Sequence, residues 1–177
     1  MNCIVYIACS LDGYIAGTGG DLEWLTGIPG DPDEDYGYGL LMERTDAILM
    51  GRNTFNTVAG FDPWPYGKPV FVFSNTLKTL PREHEGRAEL VGGTVGQVCR
   101  LLESRGVRTL YVDGGRTIRG FLEEDRIDEM IITTVSKILG GGIPLFDQGG
   151  RALDFEVVES RRLNGYLSMN RYLRRKP

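Results

Sequence analysis

The stretch TLYVDGGRTIRGFLEE (109–124) decides the fold prediction, because it joins a strand to a helix through a pair of glycines. Its first half has the apolar and β-branched residues of a strand, and TIRGFLEE (117–124) predicts a helix despite Gly120. A second stretch has the same plan, with a strand at DAILM (46–50) and a short helix opening at GRNTFNTV (51–58). Two strand-to-helix units of this kind indicate an α/β fold.

Strand and helix patterns alternate over most of the chain around these two units. Further strands are predicted at 2–9, 70–74, 88–91 and 129–138, and further helices at 33–44 and 94–106. The alternation predicts a mostly parallel sheet with helices on both faces. The last two strands, 154–163 and 166–173, predict an antiparallel hairpin around Gly165. We expect a single domain over residues 1–177, since no linker or repeat interrupts it.

The sequence also predicts one long loop, the start of one helix and the end of another. Residues 10–32 contain six glycines and two prolines, which predicts a long structured loop of the kind that is usually functional. The acidic residues Asp31, Asp33, Glu34 and Asp35 suit a helix N-terminus. Gly106 is expected to end the helix at 94–106.

Composition excludes several classes of protein. Hydrophobic residues make up 41% of the chain and the formal net charge is −4, so neither nucleic acid nor an anionic membrane is a favoured partner. The first residues, MNCIVYIACS, do not resemble a signal peptide, and no apolar run is long enough for a membrane span, so we expect a cytoplasmic protein. His84 is the lone histidine, which argues against a zinc site or a Ser-His-Asp hydrolase. Cys3, Cys9 and Cys99 are expected to be buried thiols.

The two glycine turns point to a dinucleotide. A helix N-terminus offers unpaired N–H groups to a phosphate, and glycine lets the backbone approach it. Arg52 and Arg116 add a guanidinium to each turn. Because the carboxyl ends of parallel strands share one edge of a sheet, both turns should face one crevice. The ordinary G-x-G-x-x-G fingerprint does not follow the first strand, so this is not a standard Rossmann site.

Five motifs together resemble a known family. They occur in the order SLDGYIAG (10–17), DAILMGRNTF (46–55), VFSN (72–75), VDGG (112–115) and DEMIITTVSKILGGGIPLF (128–146). This order resembles dihydrofolate-reductase-like proteins, and most closely the reductase domain of the bifunctional riboflavin-biosynthesis deaminase/reductase. The resemblance implies a three-layer α/β fold with a central mixed sheet and an NADPH-dependent oxidoreductase acting on a small molecule.

The resemblance also implies positions for the cofactor. The adenosine side and pyrophosphate would lie at Gly51, Arg52 and Thr54, with Ser74 and Asn75 beside the 2′-phosphate. The second turn would contribute Gly114, Gly115, Arg116, Thr117 and Ile118, and the nicotinamide would lie against Ala8, Ile15 and Ala16. A cation at Arg52 and a hydroxyl at Ser74 favour NADPH over NADH.

For the substrate pocket and the proton donor, the sequence offers candidates, each with a structural alternative. Tyr14, Trp24, Tyr36 and Leu40 are candidate walls for a flat acceptor, with core packing as the alternative. Glu34, Asp35 and Asp12 are candidate proton donors, because a half-buried carboxyl can have a raised pKa. The alternatives are solvated helix-start charges for Glu34 and Asp35, and a turn residue before Gly13 for Asp12.

Three functional hypotheses follow. The first is an NADPH-dependent reductase of a small, flat, pterin- or pyrimidine-like substrate. The second is the riboflavin-pathway 5-amino-6-(5-phosphoribosylamino)uracil reductase, which is disfavoured because that branch carries a lysine in the first strand, where this chain has Ile7-Ala8-Cys9. The acidic stretch 31–36 would also repel a phosphorylated substrate. The third is a non-catalytic nucleotide-binding module. The apolar residues of the last strand could form a homodimer face: Tyr166, Leu167, Met169, Tyr172 and Leu173.

Overall fold

The computed structural model describes residues 1–30, 33–146 and 148–176. Within these residues, eight strands form one mixed sheet in the order β5-β4-β3-β6-β1-β7-β10-β9, and β2 pairs separately with β8. The strands are β1 Asn2–Ser10, β2 Tyr14–Ala16, β3 Ala47–Gly51, β4 Val70–Phe73, β5 Ala88–Val91, β6 Thr109–Asp113, β7 Glu129–Val135, β8 Ile143–Pro144, β9 Phe155–Arg162 and β10 Leu167–Arg174. All pairs from β5 to β7 are parallel, while β10 runs antiparallel to both β7 and β9. The predicted α/β sheet with an antiparallel C-terminal hairpin is therefore confirmed.

Helices cover both faces of this sheet, and successive strand residues pack alternately against the helices of one face and of the other. The helices are α1 Glu23–Thr26, α2 Tyr38–Arg44, α3 Arg52–Val58, α4 Val95–Ser104 and α5 Gly115–Glu123. Val5 and Leu49 pack in the layer of α4 and α5. Their neighbours Ile4 and Ile48 pack in the layer of α2 and α3. The period of two along each strand thus places one apolar side chain in each layer.

Helix α4 shows how local sequence sets its limits. Thr94 caps its N-terminus, since its hydroxyl accepts a hydrogen bond from the Gln97 N–H while the Gln97 side chain bonds back to the Thr94 N–H. At the other end Gly106 has φ +88°, the left-handed conformation that glycine adopts without strain. The prediction that Gly106 ends this helix is confirmed.

The helix predicted over 33–44 begins later than expected. It starts at Tyr38, because Tyr36 and Gly37 have φ of 55° and 89° and cannot continue a right-handed helix. Asp35 nevertheless caps the first turn, accepting hydrogen bonds from the N–H groups of Gly37 and Gly39. Asp31, which was assigned to the same helix start, lies outside the described residues.

The segment predicted as a long loop contains short elements. Strand β2 pairs with β8, a 3-10 turn follows at Thr18–Gly20, and α1 places Trp24 in a cluster with Val135 and Leu167. The segment is therefore tied to the ends of β7 and β10. The three cysteines are buried free thiols, as predicted.

Candidate active site

The two glycine turns lie side by side. Strands β3 and β6 are parallel neighbours, and Met50 pairs with Asp113 in their register. Gly51 and Gly114 therefore follow equivalent positions at the same edge of the sheet. This arrangement is the condition on which a shared dinucleotide crevice depends.

Each turn needs glycine because a side chain of the other turn fills the space. A Cβ on Gly51 would lie 2.8 Å from the Thr117 hydroxyl, and a Cβ on Gly114 would overlap the Thr54 hydroxyl. Gly114 also has φ +87°, where a side chain is strained. Each threonine side chain therefore packs closely against the glycine of the other turn.

Arg52 lies against the turn that follows β4. Its Nη1 donates to the Thr76 hydroxyl at 3.2 Å, and the Ser74 hydroxyl accepts from the N–H of Leu77 at 3.1 Å. Asn75 holds this turn to the next loop, since its side-chain amide exchanges two hydrogen bonds with the backbone of Gly93. The structure thus brings together Arg52, Ser74 and Asn75. An exposed guanidinium beside hydroxyls is a suitable donor set for a phosphate monoester.

The second turn offers fewer residues than predicted. Gly115 and Thr117 are buried at the start of α5, while Arg116 is exposed beside them. Ile118 lies in the core, and its N–H donates to the Gly114 carbonyl. Any contribution of Ile118 to binding is therefore indirect.

A short ribbon covers the N-terminus of α5. Ile15 of β2 lies with its Cδ1 2.7 Å from where a Gly115 Cβ would be. Arg119 of α5 donates to the Pro144 carbonyl of β8 at 2.6 Å. Ala16 is buried within the ribbon, and Ala8 is half-buried in β1. Ile15 thus packs against the glycine turn, and its place beside the nicotinamide stays a prediction.

The sequence analysis did not identify Asp113, whose carboxyl lies at the same edge of the sheet as the two glycine turns. Asp113 ends β6, and its Oδ1 accepts a hydrogen bond from the Gly114 N–H at 2.7 Å. Burial away from water raises the pKa of Asp113 to about 6. The VDGG sequence was interpreted through its glycines alone, although a carboxyl placed between an apolar strand and a ligand turn is itself a signal.

Tyrosines surround Asp113. Burial raises the pKa values of Tyr38, Tyr66 and Tyr111, and the charge of Asp113 raises them further. The Tyr111 hydroxyl donates to the Tyr6 carbonyl at 3.0 Å, on the strand next to β6. Asp113 therefore lies among phenols from three different parts of the chain.

The predicted proton donors have different surroundings. Asp12 accepts hydrogen bonds from the Ser10 hydroxyl and from the N–H groups of Leu139 and Gly140, led by the Ser10 bond, and its pKa falls to about 2. The bonds from Gly37 and Gly39 lower the pKa of Asp35. These bonds stabilise the ionised form, and they do not favour proton donation by Asp12 or Asp35.

Glu34 is also exposed, and its carboxylate accepts from the Tyr36 N–H at 2.8 Å. The residues predicted as walls of the substrate pocket differ widely in their exposure to solvent. Trp24 is 5% exposed and its indole Nε1 is buried without a hydrogen-bond partner, whereas Leu40 is 71% exposed. Tyr14 and Tyr36 are half-buried. Leu40 is thus a poor wall, and Trp24 packs as a core residue of its loop.

Metal and membrane chemistry receive no support from the described part of the chain. Over those residues, no group of three or more His, Cys, Asp or Glu side chains could hold a metal ion. In the same ranges, no helix is long and apolar enough to span a bilayer. His84 is buried in an aromatic cluster with Phe55 and Trp64.

The sheet order, the C-terminal hairpin and the paired glycine turns define a reductase domain of the dihydrofolate-reductase-like fold. Residues 2–167 match the RibD C-terminal domain, and the chain belongs to that family. Membership in this family implies an oxidoreductase.

Individual relatives agree with this assignment. The uncharacterized protein YwjB of Bacillus subtilis (strain 168) is 34% identical over 147 residues, which cover 82% of each chain. A crystal structure of a proposed riboflavin biosynthesis protein from Shewanella sp. PV-4 has a TM-score of 0.95 and 46% identity, covering 99% of this chain and 100% of the other. The Thermotoga maritima deaminase/5-amino-6-(5-phosphoribosylamino)uracil reductase has a TM-score of 0.74 at 17% identity, over 98% of this chain and 56% of that one. At that identity the last similarity supports the fold alone.

Proposed function

We propose that this protein is an NADPH-dependent reductase that transfers a hydride to a small, flat, conjugated substrate of the pterin or pyrimidine type. The observation that carries the proposal is the pairing of two glycine turns on adjacent strands, with Arg52 following the first glycine and Asp113 directly preceding the second. A diphosphate bridge fits such a pair of helix N-termini, and a single phosphate would need only one.

The residues present suit NADPH. Arg52, Ser74 and Thr76 would hold the 2′-phosphate, and the backbone from Gly114 to Thr117 would hold the pyrophosphate. Ala8, Ile15 and Ala16 would lie at the nicotinamide end. When bound, the cofactor supplies the hydride, and the protein supplies position, exclusion of water and a proton.

Asp113 is the proton source in this proposal. A carboxyl with a pKa of about 6 is partly protonated near neutral pH and can act as a general acid. Its place at the carboxyl end of β6, next to a ligand turn, puts it at the crevice where an open α/β sheet binds its ligand. Asp12, Glu34 and Asp35 stay secondary candidates because hydrogen bonds hold their carboxylates in place.

The surroundings of Tyr6 favour a substrate without a phosphate group. Burial and then the negative charges of Asp35 and Glu34 together raise the pKa of Tyr6 to about 12, while Arg161 acts in the opposite direction. Acidic groups outweigh the nearby cation at this position. A phosphorylated pyrimidine would meet that field, so the riboflavin-pathway substrate is the second candidate, favoured by family membership.

Cofactor titration followed by turnover tests the proposal. We expect NADPH to bind more tightly than NADH, and dihydropterins or unphosphorylated aminopyrimidines to be reduced. Turnover of the phosphoribosylaminopyrimidine alone would establish the second candidate. Binding without turnover of either class would favour the nucleotide-binding module, and no binding of either cofactor would refute the reductase assignment. A cytoplasmic location and a homodimer through the C-terminal hairpin stay predictions.

A further inference from the structure

A cavity lies at the edge of the sheet opposite the crevice. It has a volume of about 250 Å³ and is lined by Cys3 of β1 and Cys99 of α4. Cys3 lies at the start of its strand, so the cavity is separated from the candidate active site by the length of β1. Charged groups complete the lining: the Met1 ammonium, Glu103, Glu124, Asp125, Arg126, Asp128 and Lys176.

The two thiols that line this cavity interact with each other and have different acidities. Their mutual interaction, followed by burial, raises the pKa of Cys3, and the Asp128 charge adds to the rise. The same interaction lowers the pKa of Cys99, and Arg126 lowers it further against the opposing effects of burial, Glu103 and Glu124. The Arg126 guanidinium lines the same cavity, and its positive charge favours a thiolate on Cys99.

We propose that Cys3 and Cys99 are a peroxide-oxidisable thiol pair that forms an intramolecular disulfide. The proposal rests on the position of both thiols in one cavity and on the Arg126 cation next to Cys99. Cys9, the remaining cysteine, is buried near the other end of β1, where its thiol interacts with the Thr134 side chain. It serves as an internal control with no thiol partner.

The chemistry balances with hydrogen peroxide as the oxidant. The Cys99 thiolate attacks one peroxide oxygen, so that an S–O bond forms, the O–O bond breaks, and the departing hydroxide takes a proton to become water. The Cys3 sulfur then attacks the Cys99 sulfur, the S–S bond forms, the S–O bond breaks, and the second hydroxide takes the Cys3 proton. Two thiols lose two electrons in total and one peroxide becomes two waters.

Thiol counting and peptide mapping on the full chain test this inference. After mild peroxide treatment, we expect the unfolded chain to show one free thiol instead of three, with the Cys3 and Cys99 peptides joined. The Cys9→Ala variant should form the same disulfide. Three free thiols after treatment, a bond involving Cys9, or disulfides between chains would each overturn the proposal.

Single variants separate the two roles and need no activity assay. In Cys3→Ala we expect a dimedone-reactive sulfenic acid to accumulate on Cys99, and in Cys99→Ala we expect dimedone labelling to disappear. Arg126→Met should slow oxidation at neutral pH by about two- to tenfold, because the thiolate fraction falls. Equal rates for wild type and Cys99→Ala would contradict the assignment of the nucleophile, and the wild-type peptide map keeps the test valid if a variant fails to fold.

Discussion

A buried and a half-buried carboxyl group on one sheet have opposite surroundings. Glu129, 3% exposed at the start of β7, accepts two hydrogen bonds from Arg44 at 2.6 and 2.9 Å and a third from Arg171 at 2.7 Å. Burial acts to raise the pKa of Glu129, but the two guanidiniums outweigh it and the pKa is lowered. At Asp113, at the end of β6, burial outweighs the opposing hydrogen bond from the Gly114 N–H, so the pKa is raised.

The difference distinguishes a carboxylate that stabilises the fold from a carboxyl that can exchange its proton. A buried charge that is paired and hydrogen-bonded holds elements together, and here Glu129 joins β7, β10 and the end of α2. A buried carboxyl without a cation exchanges its proton near neutral pH, which a fold does not need for stability. The contrast agrees with the proposal that catalysis takes place at the carboxyl ends of the strands, whereas Glu129 holds elements together at the amino end of β7.

The largest expected effect is a loss of turnover in the Asp113→Asn variant. We expect kcat to fall by about 10²- to 10⁴-fold, since general acid catalysis contributes that much. The affinity for NADPH should change little, because the Gly114 N–H retains an acceptor. Wild-type turnover should decline as pH rises through about 6, where the acid loses its proton. Stopped-flow turnover across pH measures both, and an unchanged pH profile in the variant would exclude Asp113 as the donor.

The second largest expected effect is a loss of stability in the Glu129→Gln variant. Removing the charge leaves Arg44 and Arg171 without their partner, although both are partly exposed and regain water. We expect a loss of about 2–4 kcal/mol in the free energy of unfolding at pH 7. Urea denaturation measures it. Because the folded pKa of Glu129 is lowered, its stabilisation is present above the unfolded pKa and is lost as pH falls through the folded pKa.

The matched variant Asp113→Asn should shift stability in the opposite sense. The native state of the wild type holds the Asp113 proton between pH 3.8 and about 6, so wild-type stability falls as pH rises through that window, by about 3 kcal/mol. Asp113→Asn should remove this decline and be more stable than the wild type at pH 8. A decline of equal size in both proteins would show that other groups cause it.

The sequence analysis located the glycine turns because their signal is local. A strand pattern, a glycine and a helix pattern follow one another within ten or so residues, and the parallel order then places β3 beside β6. Arg52 could be predicted for the same reason, since it directly follows the end of β3, whereas Ser74 was predicted only through the family resemblance.

The proposed proton donor, Asp113, could not be predicted in this way. The pKa of Asp113 depends on burial by groups that are distant in sequence, such as Tyr38 and Tyr66, and no local pattern reports that burial. Asp35 looked suitable because it is close to a predicted helix, but the turn at Tyr36 and Gly37 directs two N–H groups toward its carboxylate. Local periodicity does not specify a left-handed turn at a tyrosine.

A smaller effect is expected on cofactor preference, after Arg52→Ala. The loss of a charged hydrogen bond to the 2′-phosphate should weaken NADPH by about 10- to 100-fold and NADH hardly at all. Fluorescence titration with both cofactors measures the two constants, with Arg116→Ala as the matched variant at the neighbouring turn. Equal weakening of NADPH and NADH by Arg52→Ala would remove Arg52 from the 2′-phosphate.

The smallest effect is expected for Asp12→Asn. The N–H groups of Leu139 and Gly140 donate to different oxygens of Asp12, so an asparagine keeps one of these two bonds, and the link between the loop after β1 and the loop after β7 should weaken without being lost. We expect turnover within about threefold of the wild type and an unchanged pH profile, since a general acid would contribute about 10²-fold or more. Asp35→Asn should behave alike, because its carboxylate serves the turn at Gly37. If either substitution removes the decline in turnover above pH 6, the proton comes from that carboxyl, and the contrast between Asp113 and Glu129 describes burial alone.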